Sequence, residues 1–272
     1  MMKAAAGFTL VELVVALTLS AIVIAFGGMF LTAPLSLYET QARRAEVASA
    51  AAETWPQIRD ELRRALPNSV RARRNGSVVA LEMLNTVDWV RYKGALGGTL
   101  LTAGTFRGIT APFSSTSHYL SVNNLGTGPA DAYALSGSIT AAGTSIAIVA
   151  GGLPGEQQVT IAPIPAFIAD SPRHRAYLVS GPVSFLCDES AGTLRRYANY
   201  SIAGNHTARD TAGELLTAGA SVLELARNIA SCDFSASVGS SSATQVITAR
   251  ITATRNGETL QLVEQARLEL LP

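Results

Sequence analysis

Histidine, cysteine and aromatic residues are scarce in this chain, and each scarcity narrows the range of functions. Its 272 residues include 3 His and 2 Cys, and 6% of them are aromatic. Zinc centres need Cys and His at short spacing, whereas the few candidates stand far apart: Cys187, Cys232, His118, His174 and His206. The signatures of serine hydrolases, zinc proteases and P-loop enzymes are missing too. We therefore expect no enzyme: no catalytic residue, no cofactor and no metal.

An excess of charge of one sign is also missing. The chain has 21 basic and 20 acidic residues, so its formal net charge is +1. This balance argues against a nucleic-acid partner, which a strongly basic surface would attract. The basic run Arg63, Arg64, Arg71, Arg73 and Arg74 is interpreted as the solvated end of a helix, because cations at a helix C-terminus interact favourably with its dipole.

What the chain does have is one long apolar run near its start. From Phe8 to Leu31 the only ionisable side chain is Glu12, and the run exceeds the roughly 20 apolar residues that a membrane-crossing helix needs. A secretory signal peptide fits less well, because its apolar core is shorter and ends at a small-residue cleavage site. A simple membrane anchor leaves Glu12 unexplained, since a carboxylate costs about 2.5–3.5 kcal/mol near the centre of a membrane helix.

The residues around Glu12 resemble the start of type IV prepilins. A short leader containing Lys3 ends at Gly7, and Phe8-Thr9-Leu10-Val11-Glu12-Leu13 follows. The resemblance implies that a prepilin peptidase cuts between Gly7 and Phe8 and that the new amine of Phe8 is methylated. It also implies that Glu12 pairs with the Phe8 amine of a neighbouring subunit. Two opposite charges buried together are each less costly than either charge alone.

Beyond the apolar run, residues 34–66 are predicted to continue the helix. This stretch is rich in alanine and free of glycine, and apolar side chains recur in it at three- and four-residue spacing: Trp55, Ile58, Leu62 and Leu66. Such spacing places them on one stripe of a helix, and we expect the protein's own sheet to cover it. Pro34 predicts a kink or an interruption, and Pro56 predicts either a second kink or a fresh helix start near Thr54.

The rest of the chain predicts a β-rich domain. Strands are expected at residues 78–84, 89–92, 176–187, 193–202, 245–255 and 258–270, with a short amphipathic helix at 214–230. Asn256-Gly257 is a strong signal for a type I′ hairpin turn. Residues 94–163 predict irregular strands and long loops. The segment from Asn123 to Asp131 has oxygen ligands on a glycine-rich loop but lacks the spacing of an EF-hand, so calcium is not expected there.

Together these patterns predict an α+β, pilin-like fold in which a long N-terminal helix supports an antiparallel sheet. The expected organisation is a leader at residues 1–7, a membrane helix at 8–33, an amphipathic helix at 34–66 and a periplasmic head at 67–272. In that oxidising compartment, the even cysteine count favours a disulfide between Cys187 and Cys232. Its 45-residue loop would be worth about 4 kcal/mol, and two reduced core cysteines are the alternative.

Five further stretches strengthen the resemblance and narrow it to minor pseudopilins, in particular to MSHA pilus biogenesis subunits. They are residues 64–71, 84–88, 177–183, 186–188 and 192–197. The resemblance implies a minor subunit that helps to initiate or cap a type IV pilus.

The implied location is the inner membrane and later the filament. The implied partners are other pilin-like subunits, the prepilin peptidase and an inner-membrane assembly platform with its ATPase. The alternatives are a J-like minor pseudopilin of type II secretion, a membrane-anchored periplasmic enzyme and an adhesin.

Overall fold

The computed structural model of the protein describes residues 9–94, 104–109, 118–238 and 244–269. The predicted leader, with Gly7 and Phe8, lies outside these ranges. The described chain begins with one helix, α1, which spans Leu10–Arg63. Its 54 residues correspond to a length of about 81 Å at 1.5 Å per residue.

Helix α1 runs without a break through Pro34 and Pro56, so the predicted interruptions and the fresh start near Thr54 are wrong. An internal proline removes one backbone hydrogen bond, and the bonds of the neighbouring turns continue the helix on both sides. The helix ends at Arg63, three residues before the predicted end. There the amide of Leu66 donates instead to the carbonyl of Leu84 at 2.7 Å, which draws the chain into the sheet.

The described part of the head contains twelve strands and a second short helix, α2, at Ala212–Thr217. The strands are β1 Arg71–Asn75, β2 Val78–Tyr92, β3 Thr105–Ile109, β4 Tyr119–Val122, β5 Ser145–Ala150, β6 Glu156–Ala162, β7 Arg175–Asp188, β8 Thr193–Ala198, β9 Ser221–Arg227, β10 Ile229–Val238, β11 Thr244–Arg255 and β12 Glu258–Glu269.

These strands form two antiparallel sheets. A nine-stranded sheet has the order β5-β6-β3-β2-β7-β8-β9, with β1 beside β2 and β4 beside β7; a smaller sheet has the order β10-β11-β12. A long helix followed by antiparallel sheets confirms the predicted α+β, pilin-like fold.

The predicted hairpin at Asn256-Gly257 is present. Both residues have positive φ, 50° and 82°, and Arg255 pairs with Glu258 in the β11–β12 register. Positive φ at both central residues is the requirement of a type I′ turn, which Asn-Gly meets at little steric cost.

Two predicted elements differ from the structure. The two strands expected at residues 78–84 and 89–92 are one strand, β2, which passes through irregular pairing near Asn85 and Thr86. The helix expected at 214–230 is limited to α2, and most of the remainder forms β9 and the start of β10. Strand β9 pairs with β8, for example Leu223 with Arg196, so pairing with a distant strand overrides the local helical pattern.

The apolar stripe of α1 packs into the main core of the head, as predicted. Trp55, Ile58 and Leu62 are buried there between the two sheets, with Ile58 fully enclosed. Leu66 is buried in an adjacent cluster just beyond the helix. Removing a buried Leu or Ile side chain typically costs 2–5 kcal/mol, so this stripe fixes the helix against the head.

The two cysteines form the predicted disulfide. Cys187 lies on β7 and Cys232 on β10, with their Cα atoms 6.2 Å apart, and both are buried in the core that α1 also enters. The disulfide therefore joins the large sheet to the small one.

Candidate functional site at the start of the helix

The first turn of α1 is organised by Thr9 and Glu12. Thr9 is the N-cap: its Oγ1 accepts a hydrogen bond from the Glu12 amide at 3.3 Å and donates to Glu12 Oε2 at 3.5 Å. Thr-x-x-Glu is the spacing of a capping box, a signal that the sequence prediction did not use. The carboxylate lies where the positive end of the helix dipole favours an anion.

The surroundings of Glu12 are apolar and exposed. Leu10–Gly27 has a mean hydropathy of 2.4, and none of it is buried within the protein, so this stretch is long and apolar enough to cross a membrane. The hydroxyl of Thr18 donates to the carbonyls of Val14 at 3.0 Å and Val15 at 2.9 Å. A polar group bonded within its own helix is compatible with an apolar environment.

This geometry leaves the Glu12 carboxylate available to a partner. Its long hydrogen bond from Thr9 uses one of the two carboxylate oxygens, and an ionised carboxylate can accept several bonds. An ammonium group brought beside it in an apolar environment would neutralise its charge. The first turn is therefore suited to holding a cation from outside the chain.

The comparison with protein families bears on this helix. Residues 2–27 match the family described as the prokaryotic N-terminal methylation motif. The match supports a type IV pilin-like family, with a membrane-anchored, single-pass chain that acts as a structural subunit rather than an enzyme. It implies processing by a prepilin peptidase and other pilin-like subunits as partners. No curated protein and no solved structure matches the chain.

A second polar site lies inside the head, and the sequence prediction missed it. Glu82 on β2 is fully buried. Its carboxylate accepts from Arg71 Nε at 2.6 Å and from the hydroxyl of Tyr200 at 2.9 Å, and Ser184 shares a 2.6 Å hydrogen bond with Tyr200. Burial raises the pKa of Glu82, and the positive charge of Arg71 opposes that rise. Because β2 is buried on both faces here, the apolar run around Glu82, from Val78 to Leu84, is the signal that could have indicated its burial.

For the arginines of β1 the prediction of a solvated helix end is therefore wrong, whereas Arg63 and Arg64 do lie exposed at the end of α1. Besides the contact of Arg71 with Glu82, Arg73 pairs with the buried Asp210 at 2.6 Å and Arg74 with Glu189 at 3.0 Å. The chain turns back into β1 after the helix, so these side chains lie along a strand next to acidic residues from distant loops.

The β1 arginines also hold the loop that covers this face of the sheet. Arg71 donates to the carbonyls of Ala203 at 2.8 Å and Gly204 at 3.0 Å, and its guanidinium lies 3.5 Å from the centre of the Tyr133 ring. The Glu82 carboxylate is enclosed and bonded on both oxygens, which is the arrangement of a structural ion pair rather than of a substrate site.

The three histidines do not converge on one site. His206 Nε2 lies 3.7 Å from Glu82 Oε2, beyond hydrogen-bond distance, while His174 Nδ1 contacts the carbonyl of Gly94 at 3.0 Å and His118 begins the segment leading into β4. Burial, with help from Arg71, lowers the pKa of His206 to about 4. Within the described ranges, no three His, Cys, Asp or Glu side chains are grouped to hold a metal ion.

Two of the oxygen-bearing side chains considered for calcium in the loop from Asn123 to Asp131, those of Asn124 and Asp131, bind backbone groups instead. The side chain of Asn124 donates to the carbonyl of Pro67 at 2.7 Å and accepts from the amide of Ala132 at 2.8 Å. Asp131 accepts from the amide of Tyr133 at 3.0 Å. These contacts fold the loop and fasten it to the end of α1.

Proposed function

We propose that the protein is a minor pilin-like subunit that helps to initiate or cap a type IV pilus of the MSHA type, similar to MshO. The observation that carries this proposal is the methylation motif at residues 2–27 on a helix that continues unbroken into a β-rich head. A membrane helix fused to a folded domain lets one chain be stored in the bilayer and later packed into a filament.

In this proposal the N-terminus is processed before assembly. The peptidase cuts between Gly7 and Phe8, and the Phe8 amine is methylated. Glu12 then receives the Phe8 amine of a neighbouring subunit, which removes two buried charges at once. The exposure of the apolar helix and the weak hydrogen bond from Thr9 support this role.

The proposed location is the inner membrane, with residues 8–33 spanning it and the head in the periplasm. The disulfide between Cys187 and Cys232 supports an oxidising compartment for the head. An assembly platform and its ATPase would extract the subunit into the filament. The large head with its nine-stranded sheet favours a terminal position over a repeating position in a shaft.

Deleting the gene tests whether the protein serves a type IV pilus or a type II secretion system. Loss of surface pili with normal secretion, reversed by the wild-type chain, is the expected result. Loss of type II secretion with normal pili would instead assign the chain as a J-like pseudopilin. If both pili and secretion stay normal, the proposed function is wrong.

A further inference from the structure

A groove with a basic rim lies at the end of α1 that is distant from the membrane segment. It encloses about 340 Å³ between the end of the helix, β2, β7 and the β11–β12 pair. Its apolar lining includes Leu66 and Leu268, and three arginines from separate elements surround it: Arg63, Arg175 and Arg267. The groove is therefore assembled by the tertiary fold and cannot be read from one stretch of sequence.

The three guanidinium groups are not neutralised within the described structure. Among the described residues, no carboxylate lies within 4.0 Å of Arg63, Arg175 or Arg267. Glu269 also lines the groove, but it pairs with Arg173 at 3.1 Å. The formal net charge of the whole chain is only +1, so the positive charge here is a local feature.

An aromatic side chain borders the same groove. Trp89 is 45% exposed, and the Arg175 guanidinium lies 5.0 Å from the centre of its ring. Trp and Arg are the residues most enriched at the energetic centres of protein interfaces. The guanidinium fork also matches the two oxygens of a carboxylate.

The position of the groove excludes membrane lipids as its ligand. From residue 33, the end of the proposed span, to Arg63, where the helix ends, the axis rises about 45 Å. This distance puts the groove well outside the headgroup layer. Nucleic acid is disfavoured because the rest of the chain offers no excess positive charge to hold a phosphate backbone.

We infer that this groove binds an acidic segment of a partner protein. Carboxylates of the segment contact Arg63, Arg175 and Arg267, and an apolar side chain of the same segment packs against Trp89 and Leu268. The inference goes beyond the proposed function, because it concerns the head and depends neither on the Glu12 pairing nor on the filament system.

Photo-crosslinking of the full-length chain in its native membrane tests the inference. p-Benzoylphenylalanine replaces Trp89, so that one aromatic ring substitutes for another, and mass spectrometry identifies the crosslinked segment. The same probe is placed in an Arg63→Glu/Arg267→Glu variant. Lys93→Glu is the control for a charge reversal outside the groove, because Lys93 is exposed and does not belong to the groove lining.

The expected result is a crosslink to a segment rich in Asp and Glu. Its yield should fall at least ten-fold in the double charge reversal and stay within two-fold in the Lys93→Glu control. A non-reducing mass spectrum that shows the intact disulfide confirms that each variant has folded. The inference is overturned if no crosslink forms, or if the crosslink is to lipid, nucleic acid or a non-acidic segment. It is also overturned if the crosslink yield is the same in the double charge reversal as in the chain without it.

Discussion

At the scale of single residues, the proposed chemistry of assembly lies at the N-terminus. Gly7 precedes the proposed cut, and the lack of a side chain allows the peptidase to approach the backbone closely. Glu12 is the only ionisable residue between Phe8 and Leu31. Inside the head, His206 is a neutral histidine enclosed by charged groups. Each of these residues can be tested by one substitution.

Replacing Gly7 with leucine should leave the leader attached. Because the bulky side chain obstructs the peptidase, the variant should accumulate as a precursor seven residues longer than the mature chain, as measured by intact-protein mass spectrometry. Ala6→Leu is a matched control beside the cut. Mature protein that begins at Phe8 in the Gly7→Leu variant would refute the proposed processing.

Replacing Glu12 with glutamine should separate membrane insertion from assembly. The variant should insert and be cleaved normally, yet fail to copurify with other pilin-like subunits. The neighbour's ammonium would be left buried and unpaired, at a cost of about 3–5 kcal/mol. Thr9→Val is the control, because it removes the cap hydrogen bonds and keeps the carboxylate. If Glu12→Gln copurifies with the other pilin-like subunits at the wild-type level, Glu12 does not pair with the Phe8 amine of a neighbour.

The pKa of His206, lowered to about 4, predicts a specific loss of stability in acid. In the unfolded chain His206 binds a proton near pH 6.5, whereas in the folded chain it does so only near pH 4. The contribution of neutral His206 to the free energy of unfolding is therefore complete above pH 6.5 and declines as the pH falls towards 4. The loss is at most about 3 kcal/mol, and residual solvent contact reduces it. Glu82 acts in the opposite sense, because its raised pKa favours the folded state at low pH.

Urea unfolding of His206→Gln and wild type at pH 7 and pH 5 checks this prediction. The free energy of unfolding should fall less from pH 7 to pH 5 in the variant than in the wild type. His174→Asn is the control, because His174 is exposed and asparagine tolerates its φ of 52°. Equal pH dependence in His206→Gln and wild type would show that His206 does not contribute.

At the scale of elements, the head depends on how α1 and the two sheets are fastened together. The helix stripe and the disulfide enter the same buried core. Arg196 on β8 also donates to Glu61 near the end of α1 at 2.7 Å. The helix is therefore attached to both sheets, which fixes its position against the head.

Removing the disulfide should weaken this attachment between the sheets. Cys187→Ser should lower the free energy of unfolding by about 2–4 kcal/mol, because the unfolded chain loses the constraint of the closed loop. Chemical denaturation with and without reductant measures the difference. Reductant should lower the free energy of unfolding of the wild type to nearly that of Cys187→Ser, and it should not change the free energy of unfolding of the variant. Equal stability of the oxidised wild type and Cys187→Ser would contradict the prediction.

At the scale of the whole molecule, a membrane anchor and a folded head share one continuous helix. The candidate span Leu10–Gly27 has no buried residue, whereas the stripe from Trp55 to Leu62 is enclosed by the sheets. The same element thus meets lipid at one end and protein at the other. These two environments match the composition of the helix, because its first half is apolar on all sides and its second half is apolar on one side only.

Charged substitutions in the span should release the chain from the membrane. Leu17→Arg/Leu19→Arg places two charges near its middle, each costing about 2.5–3.5 kcal/mol. The fraction retained in the membrane pellet after an alkaline carbonate wash should fall well below that of the wild type. Leu17→Ala/Leu19→Ala is the control and should stay in the pellet. Complete extraction of the wild-type chain by carbonate would contradict the anchor.

The sequence by itself determined the features whose cause is local. The apolar run, the motif around Glu12, the Trp55 stripe and the Asn256-Gly257 turn each depend on neighbouring residues, because helical periodicity and turn geometry act over a few positions. The oxidising compartment that these features imply made the Cys187–Cys232 pairing predictable as well.

Only the tertiary structure decided the features that join distant residues. Leu223 belongs to a strand because β8 lies beside it, and Arg71 is structural because Glu82 and the carbonyl of Gly204 meet it. The basic groove exists because the fold brings Arg63, at the end of α1, close to Arg267 on β12. Such contacts depend on long-range packing and charge pairing, which no local pattern encodes.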